Sequence, residues 1–164
     1  MTATELNDRA HQLQRHRISA GAIVEHEGRL LMVRHVVPGK YDFWVAPGGG
    51  VKGSESYEEA AAREVWEETG LSVSVGSLLY VEDLINPECR FVKFWFAAQL
   101  VGGSISTSHP EAAAEHITEA AWLHPSELHG KVVFPTVLNQ QYANDRDLGF
   151  PALVRLPLRT MEFW

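Results

Sequence analysis

The sequence predicts an α/β protein, an α/β/α sandwich around a mixed β-sheet, and three observations carry that prediction. Apolar, β-rich runs lie on both sides of one helix-like segment, residues 56–69. A glycine run precedes that segment and Gly70 closes it, while a second helical stretch follows Pro135. Elements in this order bury their apolar sides by layering helices on a sheet. The 164 residues suffice for one sizeable core. Residues 1–16 read as a polar arm and residues 17–164 as a single domain.

Residues 18–26 and 29–37 are β-rich and meet at Glu27-Gly28, a hairpin signal, before Pro38-Gly39 breaks the second run. Residues 41–46 predict a short strand leading into Pro47-Gly48-Gly49-Gly50, read as a loop, neither helix nor strand, whose N–H groups can approach a ligand closely. Ser54 or Ser56 can cap the helix that follows, Glu58 and Glu59 suit the positive end of its dipole, and Ala60 to Ala62 are strong formers. Ala61, Ala62 and Val65 project toward a core.

After Gly70, residues 72–83 and 91–101 read as antiparallel strands separated by Asn86-Pro87. Residues 106–114 read as a surface loop, 120–123 as a strand, 125–128 as a helical turn and 136–147 as the closing helix. Apolar residues at 150–158, with Phe163-Trp164, could pack on the chain's own core or form a homodimer contact.

A net charge of −7 argues against binding nucleic acid or an anionic membrane, and suggests that an anionic substrate arrives with a metal ion. The single cysteine, Cys89, forms no intramolecular disulfide, the polar start has no apolar signal region, and no run approaches a membrane span, so the expected compartment is the cytoplasm. The eight histidines are scattered singly, without an HExxH or comparable pair.

The chemistry centres on Glu64, Glu67 and Glu68, which share one narrow helix face at i, i+3 and i+4. Like charges so placed cost about 0.2–0.5 kcal/mol per pair, and a divalent cation turns that repulsion into coordination. Carboxylate oxygens select hard ions, Mg²⁺ or Mn²⁺. Arg63 lies on the flank of this face, where its fork could bind Glu55 or Glu64 and hold the carboxylates in position.

The string from Gly49 to Leu71 resembles the Nudix box: Gly49, Glu55, Arg63, Glu64, Val65, Glu67, Glu68, Gly70 and Leu71 fill its fixed positions. Ser54 stands where many members have glycine, with Gly53 one place earlier. The resemblance implies a Nudix-like sandwich and hydrolysis, by water at phosphorus, of a nucleoside diphosphate linked to some group X. It implies Glu64, Glu67 and Glu68 as metal ligands, with Glu64 and Glu67 also catalytic and one of the three able to act as base, Glu55 and Arg63 in support, and Gly48, Gly49 and Gly50 shaping the loop beside the phosphates.

A further ligand or base comes from a later loop in many members. Glu111, Glu115 and Glu119 compete for it here; Glu115 is favoured, lying several residues before Trp122, and Glu119 is next. Arg34 could contact substrate phosphate. Pro87 lies near where ADP-ribose-cleaving members carry a proline, although a turn also explains it. ADP-ribose or a similar nucleotide sugar is therefore the favoured small-molecule partner. The alternatives are nucleoside triphosphates or dinucleoside polyphosphates as substrates, or a domain that senses a nucleotide without cutting it. Phe43, Trp44, Tyr80 or Phe91 could stack on a base or belong to the core.

Overall fold

The computed structural model describes residues 15–161. The polar arm therefore falls almost entirely outside the described residues, as does Phe163-Trp164, and Arg15 and His16 open the first strand. That strand, β1 (Arg15–His26), turns into β2 (Arg29–Val37) through Glu27 and Gly28. Their φ values of 49° and 72° are the left-handed pair that a tight two-residue hairpin needs. β3 (Tyr41–Val45) pairs antiparallel with β2.

The glycine run corrects the expectation of an irregular loop. Gly48–Gly50 forms a short strand, β4, antiparallel to Ser19–Gly21 of β1. The glycines permit this by letting backbones touch: a Cβ on Gly48 would lie 2.4 Å from the Gly21 Cα.

Helix α1 (Tyr57–Thr69) follows. Ser56 is its cap: its Oγ accepts from the Glu59 amide at 3.1 Å while Glu59 Oε2 accepts from the Ser56 amide at 2.7 Å, a reciprocal capping box. Gly70, at φ 73°, stops it. Ala60, Ala61 and Val65 are the apolar residues it buries, with Ala62 only half-buried.

The long hairpin β5 (Leu71–Ile85) and β6 (Cys89–Gly103) comes next, antiparallel as expected. Asn86 Oδ1 accepts from the Glu88 and Cys89 amides and shapes its turn. The expected 106–114 loop contains a short helix, α2 (Pro110–Ala114), capped by His109 Nδ1 accepting from the Glu111 amide. β7 (Ile117–Leu123) starts earlier than expected because it pairs with β2 as far as His35. Pro125–Leu128 is a 3-10 turn, followed by β8 (Val133–Phe134).

The expected 136–147 helix is two pieces, a 3-10 turn Thr136–Asn139 and α3 (Gln141–Asp147), broken at Gln140 where φ is −157°. Two short strands, β9 (Val154–Arg155) and β10 (Arg159–Thr160), add to β5.

The described strands form one mixed sheet in the order β10-β5-β6-β1-β2-β3-β8, with β1 parallel to β6. Period-two alternation gives the sheet two buried faces. Ala20, Ala22, Val24, Leu31 and Phe96 meet Ala60, Ala61 and Val65 of α1. Ile23, Met32, Tyr80 and Trp95 meet Leu128, Leu138 and Tyr142 on the opposite side. These are the three layers of the predicted sandwich. Tyr80 donates to Asp145 at 2.7 Å, and Tyr142 donates to Glu25 at 2.8 Å, fixing α3 to the sheet. No helix among the described residues is long and apolar enough to cross a membrane.

Candidate active site

α1 carries its acidic face inward, against β4 and β1, instead of toward solvent. Glu64, Glu67 and Glu68 are 3%, 9% and 2% exposed. Burial of three carboxylates is costly unless each is answered by a donor or a cation.

Arg63 answers part of it. Its Nε and Nη2 donate to Glu55 at 2.9 and 2.6 Å, its Nη1 donates to Glu64 at 2.7 Å and to Glu67 at 3.1 Å, and Nη2 also reaches the Gly50 carbonyl at 2.9 Å. One planar fork thus ties the box's first glutamate, two helix glutamates and the glycine strand together. The Arg63 hydrogen bonds hold Glu55 below the usual carboxylate range, and the three glutamates push the guanidinium pKa upward, Glu55 first. Glu67 Oε2 also faces Lys52 at 3.7 Å.

Glu68 is answered least. Its Oε2 accepts from the Gly48 amide at 3.3 Å, but its Oε1 is buried without any hydrogen-bond partner. Burial first, then the charges of Glu115 and Glu64, drive its pKa well above normal. Burial likewise raises Glu64 and Glu115.

Glu115, at the end of α2, brings a third carboxylate across: one oxygen each from Glu64, Glu68 and Glu115 lies within 4.8 Å of the others. Three hard oxygen donors around an orphaned buried oxygen suit a divalent cation, which would reverse the strain that raises these pKa values.

The glycine strand abuts this trio. A Cβ on Gly49 would stand 2.7 Å from the Glu64 carboxylate. Beyond Gly48 and Gly49 opens a cavity of about 430 Å³, with Glu115, Arg17, Lys93 and Arg159 among its lining and Phe43, Phe91 and Phe134 on its walls.

His35 reaches this lining too, its Nδ1 2.8 Å from the Glu115 carbonyl and its ring stacked on Phe43 at 5.1 Å. Desolvation lowers its pKa to about 4. It is therefore neutral at pH 7, with Nδ1–H donating to that carbonyl.

Of the residues singled out from sequence, the fold gathers Glu55, Arg63, Glu64, Glu67, Glu68, Glu115 and Gly48 to Gly50. It does not bring Arg34 to the cavity: Asp42 engages its fork at 2.9 and 2.7 Å, and Glu119 lies 3.6 Å away. The β2–β7 register sets Arg34 opposite Glu119, so that glutamate also stands apart from the trio. Trp44 and Tyr80 are core.

Sequence reading did not single out Arg17, Lys93, Arg159 or His35. Lys93 had a signal, a lone cation within an apolar β-run; the others became visible only through strand register.

The Nudix domain profile matches residues 15–143. Phosphatase NudJ of Escherichia coli strain K12 is 36% identical over 84 residues, 51% of this chain and 54% of that protein. The match thus spans about half the length of the curated relatives. A Nudix hydrolase from Nitrosomonas europaea superposes with a TM-score of 0.69 at 23% identity, covering 83% of this chain and 91% of that one. An ADP-ribose pyrophosphatase from Streptococcus suis 89-1591 does so with a TM-score of 0.60 at 17% identity, covering 88% and 98%. With an intact box and a profile match over most of its length, this chain belongs to the Nudix domain family.

Proposed function

We propose that this protein is a divalent-cation-dependent hydrolase that cleaves the diphosphate linkage of a nucleoside diphosphate derivative, with ADP-ribose or a similar nucleotide sugar favoured. The observation that carries this reading is the buried, unpartnered Glu68 Oε1 within the Glu64–Glu68–Glu115 trio, at the rim of a cavity of nucleotide size. Mg²⁺ or Mn²⁺ held there would neutralise the diphosphate and lower the pKa of a bound water.

The chain's own residues do the rest. Glu64, Glu68 and Glu115 would hold the cation, while Arg63, braced by Glu55, fixes Glu64 and ties it to Glu67, which stands outside the trio. Without side chains, Gly48–Gly50 let β1, the Glu64 carboxylate and the Arg17 fork close on the strand beside which the phosphates would lie. The favoured substrate draws on the kinship in fold with the Streptococcus suis enzyme; Pro87 adds little, since the Asn86 turn explains it.

A hydrolysis screen with Mg²⁺ and Mn²⁺ across ADP-ribose, nucleotide sugars, dinucleoside polyphosphates and nucleoside triphosphates tests the reading. ADP-ribose yielding AMP and ribose 5-phosphate is the expected result. Preference for a triphosphate would move the substrate class, and nucleotide binding without turnover would replace hydrolysis by sensing.

A further inference from the structure

Among the described residues, Lys93 and Arg17 line the cavity without forming an ion pair, in a neighbourhood rich in anions. Burial lowers the pKa of Lys93, and the nearby charges of Glu68, Glu82, Glu64 and Glu115 oppose that lowering. Among the described residues none of these carboxylates lies within 4 Å of its Nζ. The ammonium makes one hydrogen bond, to the Gly48 carbonyl at 3.2 Å, and rests 4.3 Å above the Trp95 ring. An ammonium has three N–H donors, so two remain for another acceptor.

Arg17 stands two residues along the same face of β1 from Ser19, the residue paired with Lys93 across the parallel β1–β6 ladder. Its fork lies beside the glycine strand, 2.8 Å from where a Gly50 Cβ would be. Arg159, the third cation of the cavity, differs: it faces Glu82 at 3.5 Å and covers the Phe134 ring at 4.6 Å.

We infer that Arg17 and Lys93 form a cationic seat for a substrate phosphate, the one beside that engaged at the Glu64–Glu68–Glu115 trio, so that the pair selects diphosphates over monophosphates. Geometry favours this over a role as counter-charge for the trio. A lysine kept to neutralise carboxylates pairs with them, whereas Lys93 spends its one bond on Gly48, the residue whose amide Glu68 holds. The Gly48 peptide thus links seat and trio, Lys93 on its carbonyl and Glu68 on its N–H. The assignment rests on the hydrolase reading for its substrate, but not for its binding test.

The full-length protein, with Lys93→Met and Arg17→Gln variants, is titrated calorimetrically in Mg²⁺ buffer with α,β-methylene-ADP, a diphosphate that water cannot cleave at the bridge, and with AMP. Mn²⁺ affinity is measured separately. The seat predicts that each variant weakens methylene-ADP binding about tenfold or more, that AMP binding changes much less, and that Mn²⁺ affinity stays as in wild type. It also predicts a raised KM with kcat altered less. Unchanged methylene-ADP affinity together with tighter Mn²⁺ binding in Lys93→Met would overturn the seat and make Lys93 a counter-charge. Should Lys93→Met fail to fold, Arg17→Gln, at an exposed position, decides alone. If the variants weaken methylene-ADP binding yet wild type hydrolyses nothing, the seat stands and the hydrolase reading falls.

Discussion

Glu68 is the residue at which folding and function pull in opposite directions. Without a cation, its buried carboxylate lies near two others and has one oxygen unanswered. Its raised native pKa means that ionisation at neutral pH opposes folding. Glu68→Gln keeps the shape and an acceptor for the Gly48 amide while removing the charge. In a chelator it should raise stability by about 1 kcal/mol or more, visible as a higher Tm, while abolishing metal-dependent turnover. A lower Tm in chelator would mean that Glu68 is held by contacts stronger than the one to Gly48.

His35 gives the complementary pH test. Its native pKa of about 4 lies below the unfolded value of 6.5, so the unfolded chain binds more protons between those values. Its contribution to stability is whole above pH 6.5, falls as pH drops, and reaches its full loss, about 3 kcal/mol, below pH 4. The stability gap between wild type and His35→Phe should therefore narrow by that amount from pH 7 to pH 4 in urea titrations. A gap independent of pH would show that His35 is freely protonated in the native state.

At the scale of elements, α1 and β4 are a matched pair. The helix can bring Glu64 against β4 because position 49 is glycine, while Gly48 and Gly50 make room for β1 and Arg17. Gly49→Ala would drive its Cβ into the Glu64 carboxylate, which Arg63 holds in place. Mn²⁺ affinity should fall about tenfold, with stability changed little. Ser56→Ala removes half of the capping box at the other end of the helix: about 1 kcal/mol of stability is lost, and Mn²⁺ affinity is retained, because the proposed helix ligands Glu64 and Glu68 sit in the last two turns.

The same elements show what could be read before folding. The helix was legible from its cap residues, alanines and terminal Gly70, and so was the β5–β6 hairpin from Asn86-Pro87. The glycine strand was not, because glycine has low strand propensity and only the approach of β1 makes it a strand. Nor was the break at Gln140, which the sequence pattern of residues 136–147 does not mark.

Over the whole molecule, the sheet gathers distant pieces of chain. Glu115 was one of three candidate glutamates, favoured over Glu119 only by its distance before Trp122. The β2–β7 ladder separates them, assigning Glu119 to Arg34 while α2 delivers Glu115 to Glu64 and Glu68. Arg17 and Lys93 meet for the same reason, through the parallel β1–β6 ladder. Residues within the box were thus readable from their spacing and from the family resemblance it carries, whereas those that long-range strand pairing brings to the box were not.

On the proposed function, Glu64, Glu68 and Glu115 together hold the cation on which turnover depends. The measurement to make is Mn²⁺-dependent cleavage of ADP-ribose by wild type, Glu68→Gln and Glu115→Gln, with Mn²⁺ affinity measured on the same samples. Wild type is expected to turn over, with affinity and turnover falling together in both variants, by about a hundredfold or more in rate. Glu115→Gln with wild-type affinity and wild-type rate would contradict it, leaving the helix glutamates to bind metal without the loop.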